Sequence, residues 1–113
     1  MANHAAPRIT LHPHTRRVCI YHGDTLLADT CDALELREKG YPQRQYLPQP
    51  DVDMSKLTVS TTVTHCPFKG DSTYYSLPDL PDIAWSYENP IDEMQEIAGR
   101  VAFDANKVRE VVE

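Results

Sequence analysis

Arg17-Val18-Cys19-Ile20-Tyr21-His22-Gly23-Asp24-Thr25-Leu26-Leu27-Ala28-Asp29-Thr30 is the stretch that decides the fold class of this 113-residue chain. Its first six residues are rich in β-branched and aromatic side chains, which pack well on a pleated surface. Gly23-Asp24 then forms a two-residue turn, glycine supplying the positive φ such turns need. Residues 25–30 return, and the whole reads as a β-hairpin. Downstream, Leu34 and Leu36 point to one face of a third strand over 33–37 at period two. Glu38-Lys39-Gly40-Tyr41-Pro42 is a turn. A short strand at 45–47 is ended by Pro48 and Pro50, and residues 51–54 read as a helical turn with Asp51 as its cap. Residues 57–64 hold four threonines and two valines, a strand composition. Lys69-Gly70-Asp71 reads as a turn, with strands at 72–77 and 83–87 around a break at 78–81.

The pattern then changes period. Ile91, Met94 and Ile97-Ala98 recur at helical spacing, Pro90 suits a first helical position, and Asp92 and Glu93 complement the helix dipole. A short helix over 90–98, ended by Gly99, is expected. Residues 101–103 read as a last strand, and Val108, Val111 and Val112 as a short tail packed on the body. Seven or so short strands with one late helix make a mainly-β domain. Nine prolines against four glycines favour strands with stiff connections. The length fits one domain, expected over 15–113 behind a flexible tail at 1–14. That tail carries His4, His12 and His14, and Pro13 holds the last two apart, poorly placed for one ion.

Eleven Lys and Arg against seventeen Asp and Glu give a formal charge of −6. Phosphate backbones repel such a surface, so nucleic acid is not the expected partner. No apolar run approaches the ~20 residues that span a bilayer, so no membrane partner is expected either. Met1-Ala2-Asn3-His4-Ala5-Ala6-Pro7 has no hydrophobic h-region, which points to the cytoplasm. Cys19, Cys31 and Cys66 form no C-x-x-C pair of the kind that holds zinc. Cys19 and Cys31 are expected to be small buried hydrophobes.

Chemistry-bearing residues concentrate in Thr64-His65-Cys66-Pro67-Phe68-Lys69-Gly70-Asp71, Tyr74-Tyr75 and Ala84-Trp85-Ser86-Tyr87-Glu88. Cys66 precedes Pro67, which holds it extended. The cations His65 and Lys69 near it favour a thiolate, hence a nucleophile or redox thiol, unless Cys66 is simply a half-buried strand end. Lys69 beside Gly70 offers an ammonium next to open backbone N–H groups, a corner for a carboxylate or phosphate, or is a solvated turn lysine. Trp85 and Tyr87 share one face of their strand, while Tyr74 and Tyr75 divide. These aromatics are either core or a flat wall for a planar ligand or a cation. His65 is a general base or a surface residue. No Ser-His-Asp order, no spaced carboxylate pair and no G-x-x-x-x-G-K phosphate loop is present.

In order and spacing the motifs resemble the domain-of-unknown-function 427 family, also labelled a nucleotidyltransferase-like domain. The resemblance runs from an opening hairpin, Arg8-Ile9-Thr10 through the ending Leu27-Ala28-Asp29-Thr30, to Tyr46-Leu47-Pro48-x-x-Asp51-Val52-x-Met54 and Cys66-Pro67-Phe68-Lys69-Gly70. It continues through Trp85-Ser86-Tyr87-Glu88-x-Pro90 to Ile97-Ala98-Gly99-x-x-Ala102-Phe103. It implies a β-tent: two antiparallel sheets meeting at a steep angle with a groove between them. Related tents pin their sheets with zinc on paired C-x-x-C knuckles. This chain lacks them, so an apolar or aromatic apex without metal or other cofactor is expected. Related tents also include a sulfoxide reductase with a catalytic cysteine and a module that holds cyclic imides in a tryptophan cage.

The leading expectation is a groove lined by Lys69, Tyr74, Tyr75, Trp85 and Tyr87 that binds a small, partly planar molecule able to carry negative charge. A homodimer stays open. The alternative is an enzyme acting through Cys66 with Lys69 or His65 as helper, or a nucleotidyltransferase, which needs metal-binding acids grouped near a phosphate cradle. A third reading is a protein-interaction domain that uses an exposed sheet edge or the acidic surface.

Overall fold

The computed structural model describes residues 7–113, so His4 lies outside the described residues. Ten strands appear among the described residues: β1 (Ile9–Pro13), β2 (Val18–His22), β3 (Thr25–Thr30), β4 (Leu34–Glu38), β5 (Arg44–Tyr46), β6 (Thr58–Cys66), β7 (Gly70–Leu77), β8 (Leu80–Ser86), β9 (Val101–Phe103) and β10 (Arg109–Val112). They form three sheets, β1-β4-β5, β10-β2-β3 and β6-β7-β8-β9, in which neighbouring strands pair antiparallel. The mainly-β antiparallel class is as expected, but there are three sheets rather than two. Pro13 ends β1, and with no N–H it cannot carry pairing onward; β1 therefore pairs with β4 while β2 pairs with β3 and β10.

The hairpin forms as read, with Gly23 at φ 58° in its turn. Three other expectations change. Residues 9–13 are not tail but strand: Ile9 and Leu11 alternate with Thr10 and His12 and pack against buried apolar side chains. His12 and His14 each have their own partner, Thr10 Oγ1 at 2.8 Å and Gln45 Oε1 at 2.7 Å. The late helix is a 3-10 segment at Asp92–Ile97, shorter than expected, with Met94 off helical geometry at φ −112° and ψ 15°. Between Pro90 and Gly99 there is too little chain to offset the cost of an α-helical nucleus. Asp51 closes a 3-10 turn at Gln49–Asp51 instead of capping one; its Oδ2 accepts from Thr30 Oγ1 at 2.7 Å.

Two apolar clusters lie on opposite faces of β6-β7-β8-β9, because side chains alternate along its strands. Tyr75, Ala84, Val101 and Phe103 face β10-β2-β3 and join Val18, Ile20 and Leu27 in the larger cluster. Trp85, Tyr87 and Ala102 face β1-β4-β5 and join Leu34, Leu36 and Tyr46 in the smaller one. A joint links these last two sheets at one side: Leu47 and Val101 exchange both backbone hydrogen bonds, at 2.9 and 2.8 Å. No helix among the described residues is long and apolar enough to cross a membrane.

Candidate functional site

The two sheets joined at Leu47 and Val101 enclose a cavity of about 490 Å³ at the open end of the smaller cluster. That lies within the roughly 300–1,000 Å³ of small-molecule sites. Leu36, Glu38, Arg44 and Tyr46 of the first sheet line one wall. Tyr74, Trp85 and the adjoining Tyr87 line the other, with Cys66 between. The loop Pro67-Phe68-Lys69 closes one end.

The end loop is fixed by Gly70. At φ 121° it sits so close to the following chain that a Cβ would meet Pro90 Cα at 3.2 Å. Only glycine fits, and the approach lets Ile91 N donate to Lys69 O at 2.9 Å. The turn itself covers Pro67, Phe68 and Lys69, and Gly70 already opens β7, two residues earlier than expected. The loop holds Lys69 across the cavity mouth, where its Nζ meets Glu38 Oε1 at 2.7 Å. Both side chains are nearly enclosed, 12% and 9% exposed, so the ammonium is neutralised and is not the open cation expected. Beside this pair the Arg8 guanidinium stacks 4.2 Å from the Phe68 ring centre.

Trp85 is half-buried and forms the aromatic wall. Its Nε1–H donates to Tyr46 OH at 3.1 Å, and the Tyr74 ring lies 6.2 Å away, tilted by 43°. Burial pushes the Tyr46 phenol up to about 12, partly offset by the indole donor. Burial also raises the Tyr87 phenol. Both rings are therefore neutral across physiological pH. Tyr74 OH is held 3.2 Å from Thr64 Oγ1, which itself sits 2.6 Å from Ser72 Oγ. The strand bearing Trp85 is anchored from behind: buried Ser86 Oγ donates to Glu88 Oε1 at 3.0 Å and stands 3.2 Å from Tyr75 OH. The Trp85-Ser86-Tyr87-Glu88 motif thus alternates cavity wall with anchor.

Of the expected site residues, Cys66, Lys69, Tyr74, Trp85 and Tyr87 line one cavity and Tyr75 does not. Tyr75 pairs with Ala84 and points into the larger cluster, the opposite face from Tyr74, as strand alternation demands. Cys66 is half-buried. His65 also lines the cavity, at its exposed rim, its Nδ1 donating to Asp71 Oδ1 at 2.7 Å with both side chains mostly exposed. Cys19 is buried as expected, and burial together with Asp29 raises its thiol. Cys31 is exposed, because it follows β3 where the chain leaves the sheet.

Arg44 was not singled out by sequence reasoning. Its guanidinium lies 5.3 Å from the Trp85 ring centre. Among the described residues it forms no ion pair. The signal available was the alternation Arg44-Gln45-Tyr46, which places Arg44 and Tyr46 on one face and buried Gln45 on the other. Asp82 and Asp104 line the cavity too. Among the described residues no three His, Cys, Asp or Glu side chains stand close enough together to hold a metal ion.

A family model described as a domain of unknown function, DUF427, matches residues 10–113. The chain belongs to that family. No curated protein matches the sequence.

Proposed function

We propose that the domain binds a small, partly planar anion in the cavity between β1-β4-β5 and β6-β7-β8-β9. The observation that carries this reading is the Arg44 guanidinium over the Trp85 ring, 5.3 Å from its centre, with no ion pair among the described residues. A guanidinium placed over an indole and free of a carboxylate partner keeps its N–H donors for a carboxylate or phosphate. Trp85 and Tyr74 then offer apolar area to the planar part of the same ligand at little entropic cost. Lys69 has a different role from the one its sequence context suggests: paired with Glu38, it holds the mouth of the cavity in shape. The exposed, unpaired Cys31 fits a reducing compartment, so we place this binding in the cytoplasm.

Trp85 is the only tryptophan, so its emission reports on the cavity alone. Titration with aromatic carboxylates, and with neutral amides of the same rings, tests the reading. Saturable quenching by the carboxylates is expected, weakened about tenfold or more by Arg44→Ala through the loss of a charge-assisted hydrogen bond. No saturable change with either series would overturn the proposal.

A second reading rests on Cys66, which alone among the three cysteines lines the cavity. Under it Cys66 is a nucleophile toward the bound molecule, with the wall residues positioning its target. In a Cys31→Ser background, Cys66 should then alkylate well ahead of buried Cys19 near neutral pH, and a cavity ligand should protect it. Nucleotidyl transfer, which the family label suggests, has less support: its chemistry calls for grouped metal-binding acids beside a phosphate cradle, and the cavity acids Glu38, Asp82 and Asp104 form no such group among the described residues.

A further inference from the structure

The nine-residue strand β6 is the longest in the fold and stands at an open edge, paired with β7 on one side only. Proteins guard such edges with charge, proline, shortness or a cover, because a free row of N–H and C=O groups recruits another strand. The other edges here are guarded. β1 ends in Pro13, and β10 has four residues and carries Arg109 and Glu110. Val52 bridges to Ala28 on β3, and the joint of Leu47 with Val101 brings β5 against β9. Residues 58–64 of β6, Thr58-Val59-Ser60-Thr61-Thr62-Val63-Thr64, hold no charge, no proline and no glycine. Val59 and Val63 are 70% and 67% exposed, and they stand opposite Tyr75 and Thr73 on one face of the sheet. The single interruption is a bulge between them, held from behind by Thr62 Oγ1 donating to Asp82 Oδ2 at 2.8 Å.

This segment reads nearly the same in both directions around Thr61. An antiparallel pair across a two-fold axis puts every residue opposite its mirror position. Centred on Thr61, that register sets Val59 against the second copy's Val63 and Thr58 against the second copy's Thr64. Ser60 meets the second copy's Thr62, and Thr61 meets itself. β-branched residues facing each other across strands are among the favourable cross-strand pairs. Charge points to the same occupant. Two copies with a net charge of −6 each repel wherever acidic surfaces meet, and 58–64 is a stretch of edge where no like charges face each other.

We propose that β6 pairs antiparallel with β6 of a second copy, with the two-fold axis at Thr61, joining two four-stranded sheets into one of eight strands. The bulge falls on the axis, so the ladder forms on the two flanks, 58–59 and 63–64, and the dimer is a reversible one. Sedimentation velocity of the full chain over a concentration series should show a monomer–dimer equilibrium. The double variant Val59→Lys, Val63→Lys sets lysine against lysine at both cross-strand positions. It should raise the dissociation constant at least about tenfold while the melting temperature stays put, since both positions are exposed. The double variant Val59→Cys, Val63→Cys in a Cys31→Ser background sets thiols opposite each other on the two laddered flanks, within the Cα separation a disulfide needs. Mild oxidation should then give a covalent dimer, and the exposed control Thr25→Cys should give none. A wild-type chain that stays monomeric, a dimer indifferent to the two lysines, or equal cross-linking by both cysteine variants would each overturn the proposal.

Discussion

The two faces of β6-β7-β8-β9 are built by the same strands from alternate residues, yet they do different work. Toward β10-β2-β3 the strands present Tyr75, Ala84, Val101 and Phe103, closed over by Val18, Ile20 and Leu27. Toward β1-β4-β5 they present Tyr74, Trp85, Tyr87 and Ala102, and the covering sheet brings polar side chains with it: Glu38, Arg44 and the Tyr46 hydroxyl. The first face is filled with side chains of matched shape. The second is propped apart by large rings and an ion pair, and an opening remains. Close packing is concentrated on one face and the cavity on the other, a division that a strand's period of two makes possible within single strands.

Substitutions can break that contrast. Phe103→Ala on the closed face should cost about 3–5 kcal/mol in a urea melt, since a fully buried ring leaves a cavity behind. Lys69→Ala should cost about 3 kcal/mol, because it strands the Glu38 carboxylate in a nearly enclosed position. The double change Lys69→Met, Glu38→Gln should recover most of that loss; if Lys69→Ala is instead as mild as an ordinary surface change, the pair is not what props the mouth. A third measurement concerns pH. The Tyr46 phenol is held up to about 12 by burial, above its ordinary value of 10. The folded state therefore keeps a proton that the unfolded state releases, and stability is intact below pH 10. It should fall by roughly 2–3 kcal/mol as the pH rises toward 12. Tyr46→Phe should reduce that slope without abolishing it, because burial raises the Tyr87 phenol as well. The least costly change should be Trp85→Ala, at about 1–2 kcal/mol, from partial burial and one hydrogen bond to Tyr46. A loss equal to that of Phe103→Ala would make Trp85 core and erase the distinction between the faces.

The parts of this structure legible in the sequence are those set by neighbours. Gly23 and the flanking β-branched residues specify the first hairpin without help from elsewhere, and the alternation of Tyr74 with Tyr75 and of Trp85 with Ser86 announces that each pair divides between faces. Which face is closed is not local information. It depends on the sheet that arrives opposite, and β10, β2 and β3 come from both ends of the chain. The same limit hid the fate of Lys69. Its glycine neighbour suggested an open corner, but the carboxylate that occupies that corner is 31 residues earlier. Strand β1 was obscured because its partner Leu34–Glu38 lies beyond the intervening hairpin, and its own His12 and Pro13, with His14 just after, read as tail. The 3-10 segment at Asp92–Ile97 carried a true helical spacing of apolar residues; only the shortness of the chain between Pro90 and Gly99 denied it an α-helix.

The pairing of β2 with β10 also sets an order of events. Tyr21 waits for Arg109, and Val18 for Val112. During synthesis the hairpin of β2 and β3 emerges early, with one edge of β2 unfilled. Likewise Leu47 has no Val101 to bridge until more than half of the remaining chain has been made. Neither the closed face nor the cavity can therefore exist on a partly made chain. Both must be assembled late from distant segments, which makes folding slow for a domain of this size and leaves apolar strand edges uncovered in the interval. The groove is complete only once β9 has been laid down, and the closed face only once β10 has followed it.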